Sequence, residues 1–161
     1  MSIYGYCRIS TAKQSIDRQL RNIKAEYPTV HIVQEAYTGT SIFRPEWLKL
    51  YRILKSGDTV VFDSVSRMSR NAEEGFTLYE DLYHKGIRLV FLKEHHIDTE
   101  TYKKALSGSI AMTGTNVDFI LKGINEYLMA LAKEQIKLAF EQSEKEVADL
   151  HQRTREGLLA A

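Results

Sequence analysis

The sequence predicts an α/β fold: a mainly parallel sheet with flanking helices, followed by a long C-terminal interface helix. Three observations carry this reading. Four apolar, strand-like runs occur at residues 3–9, 31–37, 59–65 and 87–93. A segment of helical period follows each of the first three, so each can serve as a crossover between parallel strands. After about residue 94 the alternation stops. From Val117 to Gly157 there is no proline, and Gly123 is the only internal glycine.

The elements follow in order. "IYGYCRI" (3–9) is a buried strand bounded by Ser10-Thr11. Ile16, Leu20 and Ile23 then recur at helical spacing up to Pro28. "HIVQEAY" (31–37) is a second strand, and "TGTSIFR" (38–44) has loop chemistry. Pro45 suits the first turn of a helix that carries Leu48, Tyr51 and Leu54 and stops near Ser56-Gly57. "TVVFDSV" (59–65) is a third strand, and "SRMSRN" (66–71) is a polar, arginine-bearing junction. A helix with Phe76, Tyr79, Leu82 and Tyr83 on one face follows, closed by Gly86. "IRLVFLK" (87–93) is the fourth strand.

Residues 99–113 are weakly helical, and "TGTN" (113–116) is a break. Beyond it Val117, Leu121, Ile124, Leu128 and Leu131 step by four and three, close to a heptad seam. Forty helical residues would reach roughly 60 Å. A helix that long outruns a small domain, so part of it needs another surface, and a second subunit supplies one. The alternative is two helices folded back on each other, with a turn near 142–146. The expected division is an α/β core over 1–115 and a helix for dimerisation over 116–161. The chain stops at "TREGLLAA", inside a helical pattern and without a terminating signal, which predicts that a longer protein continues.

The bulk numbers narrow the partners. The 161 residues are 43% hydrophobic and 27% charged, as in a globular protein. One cysteine, Cys7, excludes an internal disulfide, and its apolar surroundings make it a small core residue. There is no secretory signal and no apolar run long enough to cross a bilayer, so the expected location is cytoplasmic, with no membrane partner. The net charge of +1 is low for an autonomous nucleic-acid binder. Any DNA contact must come from local arginine clusters or from a region outside the chain.

Ligands of a parallel sheet bind at the carboxyl ends of its strands. Arg8 and Ser10 end the first strand, Arg44 lies in the loop after the second, and Arg67 and Arg70 lie after the third. Four guanidiniums on one rim repel one another unless an anion joins them, and their forks match phosphate oxygens. Ser10 among them is a nucleophile candidate, its hydroxyl activated by the positive field. Singly, each arginine is a solvated rim residue and Ser10 or Thr11 a helix cap. The coincidence of position raises the reading to a phosphate-handling site. His95-His96 is an adjacent pair that points opposite ways on a strand. No cysteine cluster, HExxH or phosphate-cradling glycine loop appears, so neither a metal nor a nucleotide cofactor is expected.

"YGYCRIST" with "SIDRQL", then "TGTSIFRPEW", "DSVSRMSRN" and a long helix ending "QRTREGL" resemble the catalytic domain of the serine site-specific recombinases, the resolvase/invertase family. The resemblance covers essentially the whole chain. It implies that Ser10 attacks a DNA phosphodiester, joins the 5′ phosphate and leaves a free 3′ hydroxyl. It implies that Arg8, Arg44, Arg67 and Arg70 bind the scissile phosphate, that Gln14 and Gln19 are active-site glutamines, and that Thr38 lies beside the phosphate. Glu35 falls where the family often has an acid. Glu146 and Arg153 fall where the long helix begins to contact DNA. The partners implied are a DNA recombination site and a homodimer that becomes a tetramer in the synaptic complex, with neither ATP nor metal.

Two departures stand out. Ser66 occupies the place of an Asp that many members carry before the first arginine of the "DRLxR" block, which moves the general-acid role to Arg67 or Arg70. The segment 99–145 is longer than in small resolvases. The family's sequence-specific DNA-binding region would follow residue 161. Two other functions remain open on the residues alone: a non-catalytic DNA-bridging or dimerisation module of the same fold, and a small-substrate phosphotransferase. Ser10 and the four arginines disfavour the first, and the heptad-like helix disfavours the second.

Overall fold

The computed structural model describes residues 1–9, 13–36, 44–69, 71–107 and 111–160, with side chains throughout these except at 9, 13–15, 106–107, 144 and 146–160. In chain order the elements are β1 (Ile3–Ile9), α1 (Lys13–Glu26), β2 (His31–Ala36), α2 (Pro45–Ile53), β3 (Thr59–Phe62), α3 (Val65–Met68), α4 (Ala72–His84), β4 (Arg88–Phe91), a 3₁₀ turn (His95–Ile97), α5 (Thr99–Ser107) and α6 (Asp118–Ala160). The four strands lie in the order β2-β1-β3-β4, and every pairing is parallel.

Alternation along the strands separates two cores. Cys7, Val61 and Val90 face α1 and pack with Ile16, Leu20 and Ile23. Tyr6, Val60, Phe62, Leu89 and Phe91 face the other way, into a larger core with Trp47, Met68, Tyr79, Leu82, Ile136 and Phe140. The aromatic rings there stack in sequence, Phe62 on Phe91 at 5.3 Å and Tyr79 on Phe91 at 6.1 Å between centroids. Gly5 lets α1 lie close: a Cβ there would sit 2.9 Å from Ile23.

Two strand boundaries and one helix face depart from the sequence expectations. The third strand ends at Phe62 rather than Val65, because Val65–Met68 turns into a short helix. The fourth is the four residues Arg88–Phe91, since the main chain turns away at Leu92. In α2 the buried face is Trp47 and Leu50, with Tyr51 and Leu54 packed beside them. Leu48 is on the solvent side and 40% exposed.

α6 is one uninterrupted helix of 43 residues through the stretch where a turn was the alternative. At 1.5 Å per residue it spans about 64 Å. Asp118 anchors its start, accepting from the Thr113 N–H (2.7 Å) and the Gly114 N–H (2.9 Å). Gly114 has φ +77°, the left-handed region that glycine enters without penalty. The amino-terminal half carries exposed apolar side chains, among them Phe119, Ile124, Tyr127, Leu128 and Leu131. Further on, Ile136, Ala139 and Phe140 are buried against the core.

The approach of α6 to α4 depends on Gly75, where an added Cβ would lie 2.5 Å from the Phe140 ring. Gly75→Ala is therefore expected to destabilise the protein by about 1–3 kcal/mol despite the better helix propensity of alanine. Urea unfolding of the two forms measures this, and a stability equal to or above wild type would show that Phe140 yields freely.

Candidate active site

The chain runs outward from β1 to β2 in one direction and crosses to β3 in the other. That reversal opens a crevice at the carboxyl ends of β1 and β3, the place where ligands settle in such sheets. Arg8 lies near the end of β1, and α3 with Arg67 follows β3 directly. The arginine-bearing ends of β1 and β3 thus border one crevice.

Hydrogen bonds tie three arginines into a single arrangement. The buried Arg8 donates from Nη2 to the Ser66 carbonyl at 2.6 Å. Arg67 donates from Nη1 back to the Arg8 carbonyl at 3.3 Å. Arg44, the residue that precedes α2, donates from Nη1 to the Met68 carbonyl. The short helix α3 therefore offers two carbonyls, at 66 and 68, as fixed acceptors for cations arriving from β1 and from the start of α2. Arg8, Arg44 and Arg67 are thus joined through α3 and β1. Ser10, Thr38 and Arg70 lie outside the described residues, as do the side chains of Gln14 and Arg153.

Gln19 has a more specific place than its family position suggests. Its buried side chain bridges both main-chain groups of Arg8: Oε1 accepts from the Arg8 N–H at 3.1 Å, and Nε2 donates to the Arg8 carbonyl at 2.9 Å. It orients Arg8 through the backbone.

Glu35 is buried and pairs in register with Arg8 across the β1–β2 ladder. It accepts from the Trp47 N–H (2.9 Å), the Glu46 N–H (3.3 Å) and the Tyr6 hydroxyl (3.1 Å). A carboxylate at a helix N-terminus satisfies its orphan donors and its dipole. Here it fixes the first turn of α2, and with it Arg44. Burial pushes the Tyr6 hydroxyl well above the ordinary phenol range, with the charges of Arg44, Glu35 and Arg8 all acting on it. Tyr6 thus stays neutral and serves as a donor.

Several supporting residues escape a reading of motifs. Tyr6 lies two residues before Arg8, hence on the same strand face, which is the one local signal available. Ser66, in place of the family acid, pairs its hydroxyl with that of Ser64 at 2.8 Å. Glu94 accepts from the Val65 N–H at 3.0 Å and so holds the start of α3; burial raises its pKa, while that N–H draws it back. Cys7 is fully buried, and burial with the nearby Asp63 charge pushes its thiol up to about 12. It is inert core, as expected.

A crevice bordered by Arg8, Arg44 and Arg67 suits an anionic group such as a phosphate. The resolvase N-terminal domain family matches residues 3–146, and the chain belongs to that family. Its members are serine recombinases, which cleave and rejoin DNA at specific sites. The chain is 28% identical to the transposon Tn21 resolvase of Escherichia coli over 159 residues, 95% of this chain and 83% of that one. It is 31% identical to a resolvase of Clostridium perfringens strain 13 over 99 residues, 60% of this chain and 52% of that one. Among solved structures, a serine recombinase from Sulfolobus solfataricus covers 79% of this chain and 97% of its own, at 19% identity and a TM-score of 0.48. A resolvase-family site-specific recombinase from Streptococcus pneumoniae covers 99% and 97%, at 20% identity and the same TM-score of 0.48. Among the described residues, no helix is long and apolar enough to cross a membrane.

Proposed function

We propose that the chain performs the DNA cleavage and rejoining of a site-specific recombinase, with Ser10 as the nucleophile. The Ser10 oxygen attacks a backbone phosphorus; its bond to phosphorus forms as the bond to the 3′ oxygen breaks. The products are a 5′-phosphoserine linkage and a 3′ hydroxyl. One phosphate ester replaces another, so the bond energy is conserved and no ATP is required. A 3′ hydroxyl from an exchanged strand reverses the step.

The observation that carries this reading is the three-arginine arrangement at the switch point. Charge develops on the nonbridging oxygens as the nucleophile enters, and preorganised cations aimed at that point stabilise it. Arg8 and Arg67 are held by main-chain carbonyls before any substrate arrives, so little reorganisation is needed. Arg70, Gln14 and Thr38 complete the proposed phosphate site. With Ser66 where an acid is common, Arg67 or Arg70 supplies the proton to the leaving 3′ oxygen, and the proton that Ser10 loses on attack passes through solvent to recharge that arginine, so protons are conserved.

The core up to residue 115 then does the chemistry, and the helix from 116 serves assembly and the approach to DNA, with Arg153 on the DNA side. The exposed apolar side chains on the first half of α6 suit a second copy of the chain. A homodimer on each site, and a tetramer when two sites pair, follow from that. A cytoplasmic setting goes with a DNA substrate.

The test is to trap the intermediate. Full-length protein is incubated in EDTA with its recombination site, defined by selection from randomised duplexes and nicked beside the scissile phosphate. A covalent adduct on the 5′ side, mapping to the peptide with Ser10, is the expected result. An adduct that requires magnesium, or one on the 3′ side, would overturn the reading.

A further inference from the structure

Asp63 stands just past β3, on the sheet face that α1 covers, and its carboxylate is 3% exposed. No part of the proposed chemistry uses it. Its Oδ1 accepts from the Asn22 side-chain amide of α1 at 2.8 Å. Its Oδ2 pairs with Lys93, just after β4, at 3.2 Å, and its main-chain carbonyl accepts from the Lys93 N–H at 3.1 Å. A buried carboxylate needs both a counter-charge and donors, and here these come from two different elements.

Asn22 is three residues from Gln19, so the two amides project from the same side of α1, one turn apart. Gln19 holds the main chain of Arg8 on β1, and Asn22 holds Asp63 at the end of β3. α1 is therefore fastened across the two strands that border the crevice. Apolar packing of Ile16, Leu20 and Ile23 sets how close α1 lies to the sheet but resists sliding along it poorly. Directional hydrogen bonds to two strands set the axial position.

We propose that Asp63 is a positioning residue: through Asn22 it fixes the axial register of α1, and thereby the Gln19 clamp on Arg8. The proposal rests on Ser10 being the nucleophile. Lys93 neutralises Asp63 from the solvent side and leaves the acceptor geometry to Asn22.

The test compares single-turnover adduct formation at saturating nicked duplex. Asn22→Leu removes the donor at similar size. Its rate is expected to fall by about tenfold or more with DNA affinity unchanged, the signature of a geometric defect in the reacting complex. Asp63→Asn keeps an oxygen for Asn22 and is expected to stay within about threefold of wild type. The exchange Asn22→Asp with Asp63→Asn restores a hydrogen bond with donor and acceptor swapped, and is expected to recover most of the lost rate. A merely structural contact would change the melting temperature without this pattern of rescue. An unchanged rate in Asn22→Leu, an exchange variant as slow as the single one, or an Asp63→Asn as slow as Asn22→Leu would each overturn the proposal. If Asn22→Leu does not fold, the other two variants decide. If the wild type itself forms no serine-linked adduct, the Ser10 reading falls first. If it does and Asn22→Leu matches it, only the role of Asp63 falls.

Discussion

Ser10→Ala is expected to eliminate the covalent DNA adduct while leaving the protein folded and bound to its site. The substitution removes one oxygen from a segment that follows β1, and none of the hydrogen bonds described above depends on it. β1 keeps its register with β2 and β3, and Gln19 keeps its hold on Arg8. The arginines remain to bind phosphate, so affinity for DNA persists, and what is lost is the atom that attacks phosphorus. Loss of a nucleophile costs an enzyme about 10⁴-fold or more in rate, roughly 5 kcal/mol. The adduct should therefore drop below detection on a denaturing gel, and a filter or mobility-shift assay should show wild-type binding. An adduct that persists in Ser10→Ala would move the nucleophile elsewhere. Binding that fails along with cleavage would make Ser10 part of the structure instead. The second outcome is the helix-cap role that a Ser-Thr pair before a helix has on local grounds.

The order of strands and helices was legible because each element has a period and a terminator of its own. Ile16, Leu20 and Ile23 mark one face of α1, and Gly86, at φ +79°, closes α4 as a left-handed residue should. The length of α6 was legible because it lacks proline and nearly lacks glycine. What a linear reading cannot supply is the partner of a polar side chain. Gln19 looks like an active-site glutamine by motif, yet its amide lies on the backbone of Arg8. Glu35 falls where the family often has an acid, and a linear reading could not show the three donors from β1 and α2 that surround it. Asn22 and Glu94 belong to no quoted motif, and Asp63 opens "DSVSRMSRN" with no role read for it, since each takes its meaning from an element that arrives from elsewhere in the chain. Leu48 shows the same limit for packing. The helical stripe of α2 could be drawn through Leu48 or through Trp47, and only the position of the sheet decides between them.

The largest effect expected among residues whose contacts are described belongs to Arg67. It is half-buried in α3, and its Nη1 donates to the carbonyl of Arg8. Arg67→Ala removes a preorganised cation from beside the phosphate that the crevice is read to hold. One such donor contributes about 3–4 kcal/mol to the transition state, so chemistry should slow by about 10²–10³-fold at saturating DNA. Stability should change little. The Arg8 carbonyl still accepts from Gln19 at 2.9 Å, so the substitution does not strand that acceptor. A neutral hydrogen bond of that kind is worth about 1 kcal/mol. Arg67→Lys separates charge from shape: it keeps the cation but loses the planar fork that can hold a carbonyl and a phosphate oxygen together. Its rate should fall between those of alanine and arginine. Single-turnover cleavage of the nicked duplex, set beside urea unfolding of the same three proteins, resolves the two contributions. A near-normal rate in Arg67→Ala would place this arginine outside the chemistry. A loss of rate matched by an equal loss of stability would make it a brace for β1 rather than a ligand of the phosphate.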